Sequence, residues 1–255
     1  MSLGGHLKEA RRRLVIAVIG LVVGMVIAIF VTDPVIWYIT EPIRIIDEQR
    51  GTSTPFAQFV FSGVSSAFDL RLRIAFAIGM VLSAPVWLWQ IWAFIMPGLT
   101  RKEIQYTVSF VAAAIPLFFA GAYVAVTVAP HVIEVMSKFV PEGGVNYFDA
   151  KAYYDFIFKF IIVIGISFVL PVFMVALNIA GMITGKSMLK GWRVAVLVAA
   201  LFAAVATPAA DIFSMLLLAG ILVMLYLAAA LLSMIFDRRK RKKQIADGLV
   251  PGAEA

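Results

Sequence analysis

The sequence predicts an all-α integral membrane protein with six transmembrane helices and both termini in the cytoplasm. Three observations lead there. Of its 255 residues, 62% are hydrophobic, and the mean hydropathy is +0.97, more apolar surface than a soluble domain of this length can bury. Apolar runs of bilayer-crossing length recur along the whole chain. Lys and Arg gather in alternate connections between those runs, the asymmetry that orients helices in a membrane.

The first apolar run, 14–31, follows "RRR" and could pass for a signal peptide. It is long for one and is closed by no small-residue cleavage site, so it reads as a retained first span. The others are 74–95, 108–128, 160–182, 194–206 and 213–236. The fifth is short for a hydrocarbon core of roughly 30 Å. The N-terminus carries Lys8, Arg11, Arg12 and Arg13; the second connection Arg101 and Lys102; the fourth Lys186, Lys190 and Arg193. The tail carries Arg238, Arg239, Lys240, Arg241, Lys242 and Lys243. An even number of spans puts all of these on one side, and that side is then the cytoplasm. The expected division is a six-span domain over 1–236 and a basic cytoplasmic tail over 237–255, disordered and facing anionic lipid.

The first external connection, about 32–73, is long enough to hold structure. Trp37 and Tyr38 suit the membrane surface, Pro34 and Pro42 are expected to break the backbone, and Ile36, Ile39, Ile43 and Ile46 are spaced for a short helix lying along the interface. The third connection has a Pro-Glu-Gly-Gly turn and a Tyr-rich lead into the fourth span.

Several function classes drop out. Without cysteine there is no disulfide and no thiol chemistry. A net charge of +7 invites nucleic acid, but the bases are strung between spans rather than gathered on a soluble module. No HExxH, GxSxG or P-loop pattern occurs, and His6 and His131 stand alone as surface or packing residues, so no enzyme is predicted. A small transporter would need ionisable groups at membrane depth. The polar candidates there are Gln90, Asn178, Ser83, Ser109 and Ser167, residue types that commonly stitch helices together. Pro85, Pro97, Pro116, Pro130 and Pro171 lie in or beside spans. They fit either ordinary tolerance of proline in membrane helices or a kinked, concave wall, and spacing alone favours neither.

Attention therefore moves to two acids on the basic side, Glu9 and Glu103. From spacing alone, Glu103 neutralises Arg101 and Lys102, and Glu9 the arginines beside it. The motifs around them point elsewhere. "HLKEARRRL" (6–14) and "LSAPVWLWQIWAFIMPGLTRKE" (82–103), with "FVLPVFM" and "TPAADIFSMLLLAG" further on, resemble the TatC family, the multispan receptor subunit of twin-arginine protein translocation. The match departs at Ala10, where the family usually has Leu.

The resemblance implies a concave, glove-like bundle in the cytoplasmic membrane. It binds the twin-arginine signal peptide of folded cargo and assembles with TatB, TatA and other TatC copies. It uses the proton-motive force and needs no cofactor. By motif position it implies signal-peptide binding by Glu9, Arg11, Phe94, Leu99 and Glu103. Pro42 and Asp211 match external-loop positions, and the short fifth span with its neighbour matches the partner-docking surface. Val169 stands where many members carry a buried glutamate, and Gln90 is the nearest polar substitute. The last turn reads "TPAAD" rather than the commoner "TPPD", which leaves the register of Asp211 open.

Two separated acids suit two guanidinium forks. Each charge-assisted bond in a shielded groove is worth roughly 1.5–3 kcal/mol, whereas micromolar affinity needs about 8 kcal/mol. The acids select, and the signal's apolar segment supplies much of the binding.

Overall fold

Inside a bilayer, backbone polar groups must be satisfied within their own segment, which favours helices. The computed structural model describes residues 3–50, 57–61, 63–95, 101–139, 146–207 and 211–246. In chain order the elements are α1 (Leu3–Arg50), β1 (Ala57–Val60), α2 (Ser66–Leu82), α3 (Ala84–Ile95), α4 (Arg101–Ser137), β2 (Asn146–Asp149), α5 (Ala150–Ile179), α6 (Gly185–Lys190), α7 (Trp192–Ala206) and α8 (Ile212–Ala246).

Among the described residues, four helices, α1, α4, α5 and α8, are long and apolar enough to cross a membrane. Helices α2 and α3 together make a fifth candidate, bent by 58° at their junction. Helix α7 has 15 residues, about 22 Å of helix. All six apolar runs read from the sequence fall on these helices. The tail boundary expected at 237 lies inside α8, which stays helical to Ala246.

The α2–α3 bend has a local cause. The Ser83 N–H still reaches Gly79 O at 2.9 Å, while Val86 and Trp87 begin a new turn on Ser83 O. Pro85 sits in the first turn of α3, where its missing N–H costs nothing. The Trp87 indole donates across the bend to Met80 O at 3.0 Å.

Two glycines let α1 and α2 cross closely. A Cβ on Gly24 would lie 2.7 Å from Gly79 O, and one on Gly79 the same distance from Met25 N. The main core then runs between α1, α2, α4, α5, α7 and α8, with Ile74, Ile164 and Leu218 fully buried. Phe118 of α4 seeds a smaller cluster with Ala84 and Leu88 of α3, and Val169 packs on its edge.

Sequence expectations for the first external connection change. Helix α1 runs unbroken through Pro34 and Pro42, so the interfacial segment is part of it rather than a separate helix. Ile39 and Ile43 are buried in the main core, not laid on lipid. The Tyr153 hydroxyl, from α5, donates to Ile39 O at 2.9 Å. Tertiary packing of this face outweighs the two backbone donors that proline removes. Trp37 and Tyr38 remain exposed, as expected for interface residues.

The connections also hold a short sheet that no alternation of residues announces. β1 and β2 pair in parallel, with Phe59 opposite Phe148. Phe59 packs edge-on against Tyr153 and stacks on Tyr154, which joins the first and third connections over the end of α5. The Pro-Glu-Gly-Gly turn lies outside the described residues.

Finally, two of the membrane-depth hydroxyls bond locally rather than across helices. Ser83 donates to Met80 O and Ser167 to Val163 O, each within or at the end of its own helix. Asn178 does join separate elements. Its amide donates to Ile183 O and to Asp237 of α8, both at 2.9 Å. The side chain of Ser109 lies outside the described set.

Candidate functional site

Helix α1 begins with the segment that carries Glu9. Arg13, one turn on, donates to Glu9 through Nε at 3.1 Å and Nη2 at 2.6 Å. Both bonds reach the same oxygen, Oε1. The other oxygen, Oε2, is buried and has no hydrogen-bond partner among the described residues. The two side chains are 21% and 24% exposed, so the pair is largely shielded. An acceptor left buried and unsatisfied costs about 1–3 kcal/mol, which a donor entering from outside would relieve.

There is room for one. A cavity of about 290 Å³ is lined by Glu9, Arg12, Arg13, Ile16, Trp89 and Gln90. Thus α1 contributes the charges, and α3 contributes an indole and an amide. The approach of α3 is fixed further along. Trp92 is buried and packs its ring near Phe110 of α4 at 6.5 Å and Phe173 of α5 at 5.8 Å. Phe94, two residues on, stacks against His6 of α1 with ring centroids 4.5 Å apart. Phe94 and Glu9 are therefore brought to the same end of the bundle through α1.

Not every expected residue joins them. Arg11 is exposed and does not line the cavity; two residues from Glu9 is about 200° around a helix. Arg12 and Arg13, read from sequence as topogenic charges, line it instead. Glu103 falls in the first turn of α4, but its side chain lies outside the described set, and Leu99 lies outside the described residues altogether. Pro42 lies within α1, and its side chain is likewise outside the set.

Gln90 faces the Glu9 cavity. Leu88, two residues earlier and so nearly opposite on α3, belongs to the cluster against which Val169 packs. Gln90 and Val169 thus face different parts of the bundle, a relation that residue order left open. Asp211 holds the start of α8. Its carboxylate accepts from Ser214 N at 2.9 Å and so caps the helix.

Sequence reading missed four residues that the fold uses. His6, set aside as a lone histidine, braces Phe94. Trp89 lines the cavity, although "LWQIW" reads as a greasy run. Asp237, submerged in "DRRKRKK", accepts from Asn178 and from Gly185 N at 2.8 Å. Lys159 donates to Val205 O at 3.2 Å, a cation set against the C-terminal end of α7. Only the spacing of His6 and Glu9 in one motif could have signalled the first.

About 36 Å along α1 from Glu9, the far end of the bundle carries a second set of charges. Arg71 meets Asp33 at 3.1 Å, Arg73 meets Asp69 at 3.0 Å and Asp155 at 3.4 Å, and Lys151 meets Asp69 at 3.2 Å. All are well exposed.

The chain has clear relatives among known proteins. A family model described as Sec-independent protein translocase protein (TatC) matches residues 5–220. The Sec-independent protein translocase protein TatC of Xylanimonas cellulosilytica is 37% identical over 243 residues, covering 95% of this chain and 87% of that protein. The TatC of Rothia mucilaginosa is 36% identical, with 95% and 82% covered. Among solved structures, a crystal structure of the twin arginine translocase receptor TatC in DDM superposes with a TM-score of 0.77 at 26% identity, covering 89% of this chain and 99% of that one.

Proposed function

This chain belongs to the TatC family of Sec-independent protein translocases, and from that membership we propose that it is the receptor for twin-arginine signal peptides in its translocase. The observation that carries the reading is the buried, unpartnered Oε2 of Glu9 beside a groove with room for an incoming side chain. A guanidinium is the donor that suits it: planar, permanently charged and weakly hydrated. Glu103, at the start of α4, takes the second arginine of the pair. Phe94 and Leu99 meet the apolar part of the signal, and Arg11, exposed on α1, adds a contact outside the groove.

In this reading the protein crosses the plasma membrane six times, with α2 and α3 as one bent span and α7 as a short one. Both termini lie in the cytoplasm, with the helical basic segment after 237 against anionic lipid. Folded cargo is exported on the proton-motive force, without a cofactor. Single-span TatB and TatA and further TatC copies complete the complex. Helix α7 supports a docking role: Val194, Leu197, Leu201 and Val205 are exposed at one-turn spacing along one stripe.

The test is photocrosslinking of a twin-arginine precursor to membranes containing Glu9→Lys or Glu103→Lys. Each variant inserts normally and loses the crosslink. Wild-type crosslinking in both would overturn the assignment.

A further inference from the structure

We propose that Arg13 is a built-in competitor at the Glu9 site, and that by occupying one carboxylate oxygen it makes the groove select arginine over lysine. This rests on the receptor reading above and deepens it.

Arg13 places two N–H groups on Oε1 and none on Oε2. The carboxylate is thereby pinned in one rotamer, with its free oxygen turned inward. An incoming cation cannot draw the carboxylate out toward water. It must reach a buried oxygen from a cavity that two arginines and the Trp89 side chain also line. A lysine ammonium is compact and strongly hydrated, and reaches such an oxygen only by shedding that water. A guanidinium sheds less, presents an N–H edge-on, and stacks its face on an indole. The groove itself is unfavourable to cations in general, since Arg12 and Arg13 outnumber Glu9. Arginine is the side chain that overcomes this by shape. Without Arg13, both oxygens are free, the carboxylate swings outward, and lysine approaches at little extra cost. Arg13 is thus a positioning residue that acts through Glu9.

The full-length protein in lipid nanodiscs is titrated with labelled signal peptides carrying either twin arginine or twin lysine. Wild type prefers the arginine peptide by roughly tenfold or more. In Arg13→Gln that preference narrows to within about threefold, chiefly because the lysine peptide binds several-fold tighter. Arg12→Gln removes the same charge from the same groove and leaves Glu9 pinned, so it shifts the affinity of both peptides alike and their ratio does not narrow. Should Arg13→Gln fail to fold, Arg13→Lys carries the test, because one ammonium cannot pin Oε1 as two N–H groups do; its preference falls between those of wild type and the Gln variant. An unchanged preference in the Arg13 variants, equal narrowing in Arg12→Gln, or no preference in wild type overturns the proposal. Glu9→Gln reads the premise separately: if it binds the arginine peptide as wild type does, the receptor site at Glu9 fails. If it loses binding while Arg13→Gln behaves as Arg12→Gln, only the competitor role fails.

Discussion

At one end of the bundle, Asp33, Asp69 and Asp155 meet Arg71, Arg73 and Lys151 in a set of exposed pairs. At the other, Glu9 meets Arg13 through one oxygen and keeps the second buried and bare. The residue types are the same, yet the two arrangements do different work. Exposed charges are already solvated, so pairing them changes little. A shielded carboxylate with one unsatisfied oxygen is held at a cost, and the cost falls when a donor arrives. A count of ion pairs would rank the far end as the more important. The asymmetry of satisfaction ranks the Glu9 end first.

The comparison can be broken from either side. The largest expected effect is that of Glu9→Lys, which replaces the acceptor with a like charge and loses at least about 2 kcal/mol of twin-arginine peptide binding, roughly 30-fold, while the melting temperature falls because Arg13 loses its partner in a shielded site. Phe94→Ala comes next. It removes the His6 stack, worth about 0.5–1.5 kcal/mol, and weakens signal-peptide binding by roughly three- to tenfold in the same titration.

At the far end the readout moves from binding to stability. Tyr153→Phe deletes the bond to Ile39 O that anchors α1 between Pro34 and Pro42. It lowers stability by about 0.5–1.5 kcal/mol in a thermal melt of detergent-solubilised protein, and leaves peptide affinity at the wild-type value. The smallest effect is that of Arg73→Ala. It leaves affinity unchanged and shifts the melt slightly at low salt, a shift that disappears at high salt because exposed pairs are screened. A large loss of peptide binding in Tyr153→Phe or Arg73→Ala would erase the distinction between the two ends.

Some of the molecule could be read directly from residue order. Membrane crossing is a property of composition over a window, and a window is local. Every apolar run found in the sequence became helix, and the family motif led to Glu9 and Phe94. The motif also named Arg11, which the fold leaves off the groove, while passing over Arg12, Arg13 and Trp89, which line it. A motif records which positions matter, and the helical rotation that decides what faces what appears only when α1 and α3 are set side by side.

By itself, then, the sequence determined the solvent of this protein, the placement of its apolar helices, and the family to which it belongs. Those depend on hydropathy, charge and motifs that lie within a few turns of chain. Tertiary structure decided the rest. Burial of Ile39 and Ile43 carried α1 through two prolines, and a parallel strand pair tied together distant connections. Crossing at Gly24 and Gly79 brought α1 and α2 into contact. The bareness of one Glu9 oxygen was settled in the same way. Whether a polar atom is satisfied depends on every group within hydrogen-bond reach of it, and here those groups come from helices that only the fold brings together.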